Sequence, residues 1–219
     1  MPAPEAQTAD SNSKRERIID AALEKFSAYG YARTSMADIA EAAEMSRPAL
    51  YLHFENKNEI FRAALETILG RAFSRALEAL EPSLLTGRTD AQRESGIAKQ
   101  LTEFLQRYHG DLMELFAEKV HGDDFLTAKQ SQAADILASA AKRSRARLTR
   151  YFNGLVARGA FDPERSGQSA TQWIELILLS PYGLRQDQPG VAQYRKRLDA
   201  LATSVAAGMR GSRSTRRKT

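Results

Sequence analysis

Apolar residues recur at helical spacing from Ser13 almost to the end of this 219-residue chain. No segment alternates apolar and polar residues as a β-strand does, and glycines and prolines interrupt the pattern where helices would end. The sequence therefore predicts an all-α fold of about nine helices. Helices are expected over 57–81 and from about 126 to 158, with a loop at 86–95 and a stop at Pro181. Ser35 is expected to cap the helix at 35–43, and Leu50 and Phe54 are expected to point into the core. With 42% hydrophobic residues, the chain can bury a substantial core.

Two of the predicted helices, residues 35–43 and 46–52, are short and separated by only a few residues. Ser46 is the expected N-cap of the second, because a serine hydroxyl accepts a hydrogen bond from a free N–H of the first turn. Pro48 stiffens that turn, where a proline removes no intrahelical hydrogen bond. Two short helices so arranged are typical of a helix-turn-helix.

A stiff helix N-terminus can closely enter the major groove of DNA, where Arg47 would meet a base edge or a phosphate. Tyr51 and His53 have polar tips suited to phosphates at the rim of the groove. Lys57 stands at the start of the next helix, where its positive charge is unfavourable beside the positive end of the helix dipole. A nearby anion such as a phosphate would offset this repulsion. The predicted DNA-binding residues are Lys14, Arg15, Thr34, Ser35, Ser46, Arg47, Pro48, Ala49, Tyr51, His53 and Lys57.

Residues 34–60, TSMADIAEAAEMSRPALYLHFENKNEI, resemble the DNA-binding segment of the TetR family of transcriptional regulators. The Thr before the second helix, Ile-Ala, Ser, Leu-Tyr-x-His-Phe and Lys occur in the family's order, and RERIIDAALEKFSAYGYARTS fits its first helix. The resemblance implies a homodimeric repressor that binds a palindromic operator in double-stranded DNA. It also implies a C-terminal domain that binds a small effector and moves the two DNA-binding domains.

Glu44 departs from the family pattern, which usually has Gly at the turn between the second and third helices. A left-handed conformation is costly for a residue with a Cβ. The turn is therefore either built differently or strained by about 1 kcal/mol. Residues 14–60 carry seven basic and eight acidic side chains, so this segment does not attract polyanions in general. Affinity for DNA must come from placed contacts and from dimerisation.

The predicted boundaries define four segments. The first helix is expected to start at a capping box of Ser13 and Glu16 and to end at Gly30. The segments are a disordered tail at 1–12, a helix-turn-helix domain at 13–58, a ligand-binding and dimerisation domain at 59–208, and a basic tail at 209–219.

The predicted helix 168–180 is apolar nearly all round, which favours burial on two sides. We expect it to form a four-helix bundle with the last helix and the same helices of a second copy. The alternative is an internal core helix of a monomer. The predicted dimer contacts are Trp173, Ile174, Ile177, Leu178, Leu198 and Leu201.

A small-molecule site is predicted from aromatic residues and Met at helical spacing with a few polar groups. Its candidate residues are Phe104, Tyr108, His109, Met113, Phe116, Phe125, Tyr151 and Trp173. The alternative is that most of them are core residues, and that His109 lies on the surface. Their apolar character favours an apolar or amphipathic effector. The basic stretch 142–150 is expected to be a solvated helix face rather than an anion site.

The net charge of +5 comes from the last ten residues, which hold five basic and no acidic side chains. The rest of the chain has 27 basic and 27 acidic side chains, so only the tail is strongly basic. Such a tail can contact DNA phosphates or remain solvated.

The sequence gives no support for an enzyme. It has no HExxH, GxSxG or phosphate-binding glycine loop, no cysteine, and three histidines without metal-ligand spacing, so no cofactor or metal is expected. A second alternative is a helix-turn-helix protein without a small effector, controlled by a protein partner or structural on the chromosome. The chain lacks a signal-peptide pattern and an apolar run long enough for a membrane span, which favours the cytoplasm.

Overall fold

The computed structural model describes residues 4–85, 89–117 and 134–210, which form helices and turns with no strand among them. The all-α prediction is confirmed. The α-helices are α1 Pro4–Tyr29, α2 Met36–Ala42, α3 Arg47–Tyr51, α4 Lys57–Leu77, α5 Asp90–Leu105, α6 Asp111–Ala117, α7 Ala134–Ala157, α8 Pro163–Ser166, α9 Ala170–Gly183 and α10 Val191–Arg210. A 3-10 turn occupies Pro82–Leu84, and a π-helical turn, Gln106–Gly110, joins α5 to α6.

These helices belong to two compact units. The first contains α1 to α3 and residues 57–71 of α4, together with residues 115–117 of α6 and 134–138 of α7. The second contains residues 72–77 of α4, residues 111–114 of α6, most of α7, and α5, α8, α9 and α10. Three of the described helices, α4, α6 and α7, therefore contribute residues to both units.

Helix α1 begins at Pro4, well before the predicted capping box at Ser13. The prediction of disorder is therefore wrong for residues 4–12. No glycine or proline interrupts the sequence between Pro4 and Gly30, and proline suits the first position of a helix. Ser13 consequently lies inside a continuous helix instead of capping one.

The connection between α4 and α5 also differs from the prediction. Helix α4 ends at Leu77 instead of continuing to Glu81, because the N–H groups of Ala79 and Leu80 turn back to carbonyls three residues earlier, at 3.1 and 3.0 Å. Helix α5 begins at Asp90, within a stretch predicted as a loop. A capping box starts it: Thr89 Oγ1 accepts from the Gln92 N–H, and Gln92 Oε1 accepts from the Thr89 N–H, both at 3.2 Å.

In the second half of the chain the described helices follow the predicted order. The long helix expected from residue 126 is described from Ala134 onward, and its first residues lie outside the described ranges. Helix α9 continues past Pro181 to Gly183, although proline was expected to stop it. A proline blocks the hydrogen bond of its own nitrogen, and the Leu184 N–H still donates to the Ser180 carbonyl at 2.9 Å.

Each unit has its own apolar core. In the first, Leu50 and Phe54 are buried with Ile18, Phe26 and Ile39, as their sequence positions predicted. In the second, buried side chains of α5, α7, α9 and α10 form one cluster, including Leu101, Phe104, Phe152, Ile177 and Leu198. Within the described ranges, no helix is long and apolar enough to cross a membrane.

Candidate nucleic-acid interface

The start of α2 is fixed by a capping box. The Ser35 N–H donates to Asp38 Oδ2 at 2.7 Å, and the Asp38 N–H donates to Ser35 Oγ at 3.2 Å. The Ser35 N–H and the Ser35 hydroxyl both donate to Asp38 Oδ2, at 2.7 and 2.8 Å, and lower the pKa of Asp38 below its ordinary value because they favour the charged carboxylate. Ser35, a predicted DNA contact, is thus engaged in holding its own helix while remaining exposed.

The turn after α2 has the left-handed form that the family usually gives to Gly. Glu44 has φ 55°, its N–H donates to the Glu41 carbonyl at 3.0 Å, and the Met45 N–H donates to the Ala40 carbonyl at 3.0 Å. This pair of bonds is the Schellman arrangement, whose left-handed position favours glycine. The turn therefore keeps the usual geometry, and a residue with a Cβ occupies its strained position.

Helix α3 is short, capped and rigid at its start. Ser46 Oγ accepts a hydrogen bond from the Ala49 N–H at 3.3 Å, and Pro48 lies in the first turn. Leu50 on the inner side is buried, whereas Arg47 and Pro48 are exposed and Ala49 is half-buried. The helix thus presents its first turn outward on a fixed backbone, as a recognition helix requires.

Lys57 is directed into the protein. Its Nζ donates to the carbonyls of Tyr31, Ala32 and Thr34 at 2.7, 3.3 and 2.8 Å, and lies 4.5 Å from the centre of the Tyr31 ring. Partial burial lowers the pKa of Lys57. All three ammonium donors face the loop between α1 and α2. Lys57 therefore holds that loop in place, which argues against its predicted contact with a phosphate.

Arg15 and Thr34 also have partners inside the first unit. Arg15 Nη1 donates to the His53 carbonyl at 2.8 Å, and its guanidinium lies 4.0 Å above the Phe54 ring. Thr34 is buried, and its hydroxyl donates to the Gly30 carbonyl at 2.9 Å. Both residues hold α1 and the ends of the neighbouring helices in place, which argues against the predicted contacts with DNA.

The outward side of α3 includes a residue that the sequence analysis did not select. Leu52 is 85% exposed and Tyr51 is 47% exposed, while His53 is half-buried. The signal was available in the sequence, because Leu52 follows Pro48 by four residues and therefore shares its side of the helix. The exposed residues of the segment are Ser46, Arg47, Pro48, Tyr51 and Leu52, and Lys14 is half-buried on α1.

Most of the predicted dimer contacts are buried within the chain itself. Trp173, Ile174, Ile177 and Leu178 of α9 are buried within this chain, as is Leu198 of α10, and Leu201 is half-buried. Because α9 is apolar nearly all round, its sequence does not indicate which side packs against the rest of the same chain. The exposed apolar side chains of α9 are instead Leu176, Leu179 and Tyr182, at 43, 63 and 50%.

Among the predicted ligand residues, Phe104, Tyr108, Tyr151 and Trp173 lie in the core of the second unit. The Tyr151 hydroxyl donates to Gln100 Oε1 at 2.8 Å, and burial raises its pKa.

His109 and Met113 are half-buried, and the His109 ring packs between Tyr108 and Tyr182, with ring centroids 4.7 and 5.9 Å away. The Phe116 side chain and Phe125 lie outside the described part of the chain. The basic side chains of residues 142–150 are exposed on α7, and Arg145 pairs with Glu175 at 3.3 Å.

The second unit also has a surface cleft that the sequence analysis did not predict. Its rim carries ion pairs from Asp90 to Arg93 at 3.8 Å and to Arg165 at 3.2 Å. Its lining residues are Asp90, Arg93, Glu94, Ile97, Gly159, Ala160, Asp162, Arg165, Ala206 and Met209. None of these belongs to the predicted ligand set.

Comparisons with known proteins agree with this geometry. The family profile of bacterial regulatory proteins of the tetR family matches residues 18–64. The transcriptional regulator TtgR of Pseudomonas putida is 44% identical over 59 residues, which are 27% of this chain and 28% of TtgR. The transcriptional repressor ComR of Escherichia coli is 40% identical over 57 residues, 26% of this chain and 27% of ComR.

Solved structures extend the likeness to most of the chain as a fold. A TetR-family transcriptional regulator from Mesorhizobium loti has a TM-score of 0.64 at 20% identity, covering 90% of this chain and 96% of that one. A TetR-family regulator from Cytophaga hutchinsonii has a TM-score of 0.61 at 16% identity, covering 91% and 96%. At such identities the likeness shows the fold alone.

The matches to curated relatives span between about a quarter and two fifths of those relatives' own lengths, 28% for TtgR and 39% for a regulator of Bacillus subtilis, and the family profile matches the segment 18–64. Within that segment the capped α2, the left-handed turn and the rigid α3 coincide with the residues matched. Residues 18–64 of this chain thus match the tetR family of bacterial regulatory proteins, through a segment that has the geometry of a DNA-binding helix-turn-helix.

Proposed function

We propose that this protein is a homodimeric transcriptional repressor that binds a palindromic operator and is released by a small apolar or amphipathic effector. The observation that carries the proposal is α3: a short helix with a capped, proline-stiffened start and exposed Arg47 and Tyr51. That geometry suits insertion into a major groove. The names of similar regulators, among them the repressor ComR, support the direction of regulation.

The dimer is supported by the exposed side of α9. Leu176, Leu179 and Tyr182 recur every three residues along one helix and are about half exposed or more. Water contact with such a row is unfavourable, and a second copy of the same row would cover it in a two-fold arrangement. Two recognition helices are also what a palindromic operator requires.

Release by an effector requires coupling between the two units. Helix α4 starts at the DNA-binding helices and supplies residues 57–71 to the first unit and 72–77 to the second. In the first unit its Arg62 makes a two-point ion pair with Asp135 of α7, with Nη1 at 3.0 Å from Oδ1. Two of the helices shared by the units, α4 and α7, are thus tied together near the DNA-binding domain. An effector acts if it favours a spacing of the α3 helices that does not fit two half-sites.

The effector site itself is supported by the half-buried His109 and Met113 next to Tyr108, at the π-helical turn. Such turns occur often at functional sites because they displace side chains from the regular helical pattern. The walls nearby are aromatic, which favours an apolar or amphipathic compound. A thermal-shift screen tests this: stabilisation by such compounds is expected, and stabilisation by polar anions alone would contradict it.

The alternative is a DNA-binding regulator without a small effector, controlled by a protein partner. It is favoured by the burial of Phe104, Tyr151 and Trp173, three predicted ligand residues, in the core of the second unit. Failure of all apolar compounds to change either the melting temperature or the affinity for DNA would support this alternative.

Binding of the purified protein to the DNA upstream of its own gene tests the core of the proposal. We expect that segment to bind tighter than a random duplex by about 10³ or more at the same salt concentration. Arg47→Ala should reduce the ratio between the two affinities if Arg47 contacts a base. Equal, weak and steeply salt-dependent binding to both duplexes would indicate phosphate attraction alone and would contradict a specific operator at that place.

A further inference from the structure

Leu52 is the C-cap residue of α3 and lies on the outward side of the helix. The helical conformation continues through Leu52, which has φ −71° and ψ −18°. Leu50 is buried, and successive residues of a helix turn by about 100°, so Pro48 and Leu52 each lie about 200° from it. Both residues therefore point away from the core, side by side at a spacing of four.

The polar groups near this side of the domain are fewer than the sequence predicted. Lys57 and Arg15 donate to backbone carbonyls of their own unit. Arg47 and Tyr51 both lie on one side of the apolar pair formed by Pro48 and Leu52. The most outward part of the recognition helix is consequently a hydrocarbon surface, and it lacks hydrogen-bonding groups for reading base edges.

A single exposed leucine is ordinary on a protein surface, so the position of Leu52 matters more than its exposure alone. It is 85% exposed on the side that a recognition helix turns toward DNA. Its side chain can neither donate nor accept a hydrogen bond. The apolar group that a base presents in the major groove is the C5 methyl of thymine.

We infer that Leu52 is a specificity-determining residue that contacts the C5 methyl group of a thymine in each operator half-site. This inference rests on the proposed function, because it needs a specific operator. Covering one methyl group is worth about a fourfold change in affinity for each half-site, from the transfer free energy of a single methylene-sized group. A homodimer would show about 15-fold when both half-sites are changed.

The test begins with selection of preferred sequences by the full-length wild-type protein from a randomised duplex. Each thymine pair in the two half-sites is then replaced by deoxyuridine, which lacks only the methyl group. Dissociation constants are measured for the wild type, Leu52→Ala, Leu52→Asn and Leu52→Met. Melting temperatures of all four proteins confirm folding, and having three variants keeps the test informative if one fails to fold.

We expect one thymine whose replacement weakens wild-type binding by about 15-fold and weakens Leu52→Ala and Leu52→Asn by less than about twofold. Leu52→Met should retain most of the sensitivity, because it keeps an apolar side chain of similar reach. Equal sensitivity in the wild type and Leu52→Ala would assign the methyl contact to another residue and overturn the inference. So would a half-site in which no thymine is sensitive to the methyl group.

Selection separates the two levels of the proposal. A wild type that enriches no sequence overturns the proposed function, and the contact of Leu52 with an operator fails with it. If the wild type enriches a clear half-site, but the losses of affinity caused by deoxyuridine and by Leu52→Ala simply add, the proposed function stands. Only the contact of Leu52 with the methyl group is then overturned.

Discussion

Two cationic residues of the first unit, Lys57 and Arg15, were predicted to contact DNA, but in the structure they stabilise the fold. Lys57 and Arg15 carry charges at positions where phosphates would be favourable, yet their donors reach carbonyls at 2.7 to 2.8 Å. A carbonyl at the end of a helix or in a loop needs a donor as much as a phosphate does. Sequence position alone does not distinguish these two partners, because both are acceptors near a helix end.

Lys57→Met should therefore destabilise the first unit more than it affects sequence preference. The change removes three donors from loop carbonyls and keeps most of the side-chain length, at an expected cost of about 1 to 2 kcal/mol. Arg47→Met is the matched control, since Arg47 is exposed on α3 and its loss should leave stability within about 0.5 kcal/mol. Urea unfolding of both variants measures the difference. Equal stability of the two would show that the carbonyl contacts of Lys57 contribute nothing.

Glu44 offers a second test at the level of one residue. Its φ of 55° suits glycine, so Glu44→Gly should raise the free energy of unfolding by up to about 1 kcal/mol. Glu44→Ala removes the same charge and keeps the Cβ, so it should leave the strain in place. Denaturation of both variants separates conformation from charge: a gain shared equally by Ala and Gly would assign the effect to the carboxylate.

At the scale of elements, helix packing explains why Trp173, a predicted dimer contact, is buried within its own chain. Trp173 of α9 lies against α10 at Gly208, where an added Cβ would overlap Cη2 of the indole and lie 3.3 Å from Cζ2 and Cζ3. The close approach of the two helices depends on the missing side chain of Gly208. Trp173 is thus fixed in the core of its own chain and is withdrawn from the exposed side of α9.

Gly208→Ala should consequently destabilise the protein, although alanine normally favours a helix over glycine. Overpacking against a buried indole costs about 1 to 3 kcal/mol, more than the gain of about 1 kcal/mol in helix propensity. Gly70→Ala in α4 is the matched control, because a Cβ there meets no atom within 4 Å apart from its chain neighbours and the backbone of its own helix, so that alanine should stabilise the protein. Calorimetric melting of the two variants should show opposite shifts. A rise in melting temperature for Gly208→Ala would mean that α9 and α10 are not in close contact there.

Elements were predictable from the sequence where their signals are local. The caps at Ser35 and Ser46, and the inward positions of Leu50 and Phe54, depend on residues within one or two turns, and the structure confirms them. The partners of Lys57 lie more than twenty residues away, at Tyr31, Ala32 and Thr34, so no local pattern reveals them. The start of α5 was predictable, since Thr89 and Gln92 form a capping box that the polar character of the stretch concealed.

At the scale of the whole molecule, the proposed repressor depends on two copies acting together. A single domain with net charge −1 over residues 14–60 gains little from general attraction to DNA. Two recognition helices on one particle bind two half-sites with a far smaller entropic cost for the second contact. Monomeric protein should therefore bind a palindromic operator weakly even when its DNA-binding domain is intact.

Leu179→Asp should produce such a monomer. Leu179 is the most exposed apolar residue of α9, at 63%, so an aspartate is harmless in the isolated chain and costly between two copies. Val156→Asp on α7 is the matched control, as it places the same charge at another exposed apolar site of the second unit. Light scattering after gel filtration gives the mass, and operator titration gives the affinity.

We expect Leu179→Asp to be monomeric, to keep the wild-type helical content and to lose about 10²-fold or more in operator affinity. A dimeric Leu179→Asp with wild-type affinity would exclude the exposed side of α9 as the interface, whereas a monomeric wild type would exclude the homodimer itself.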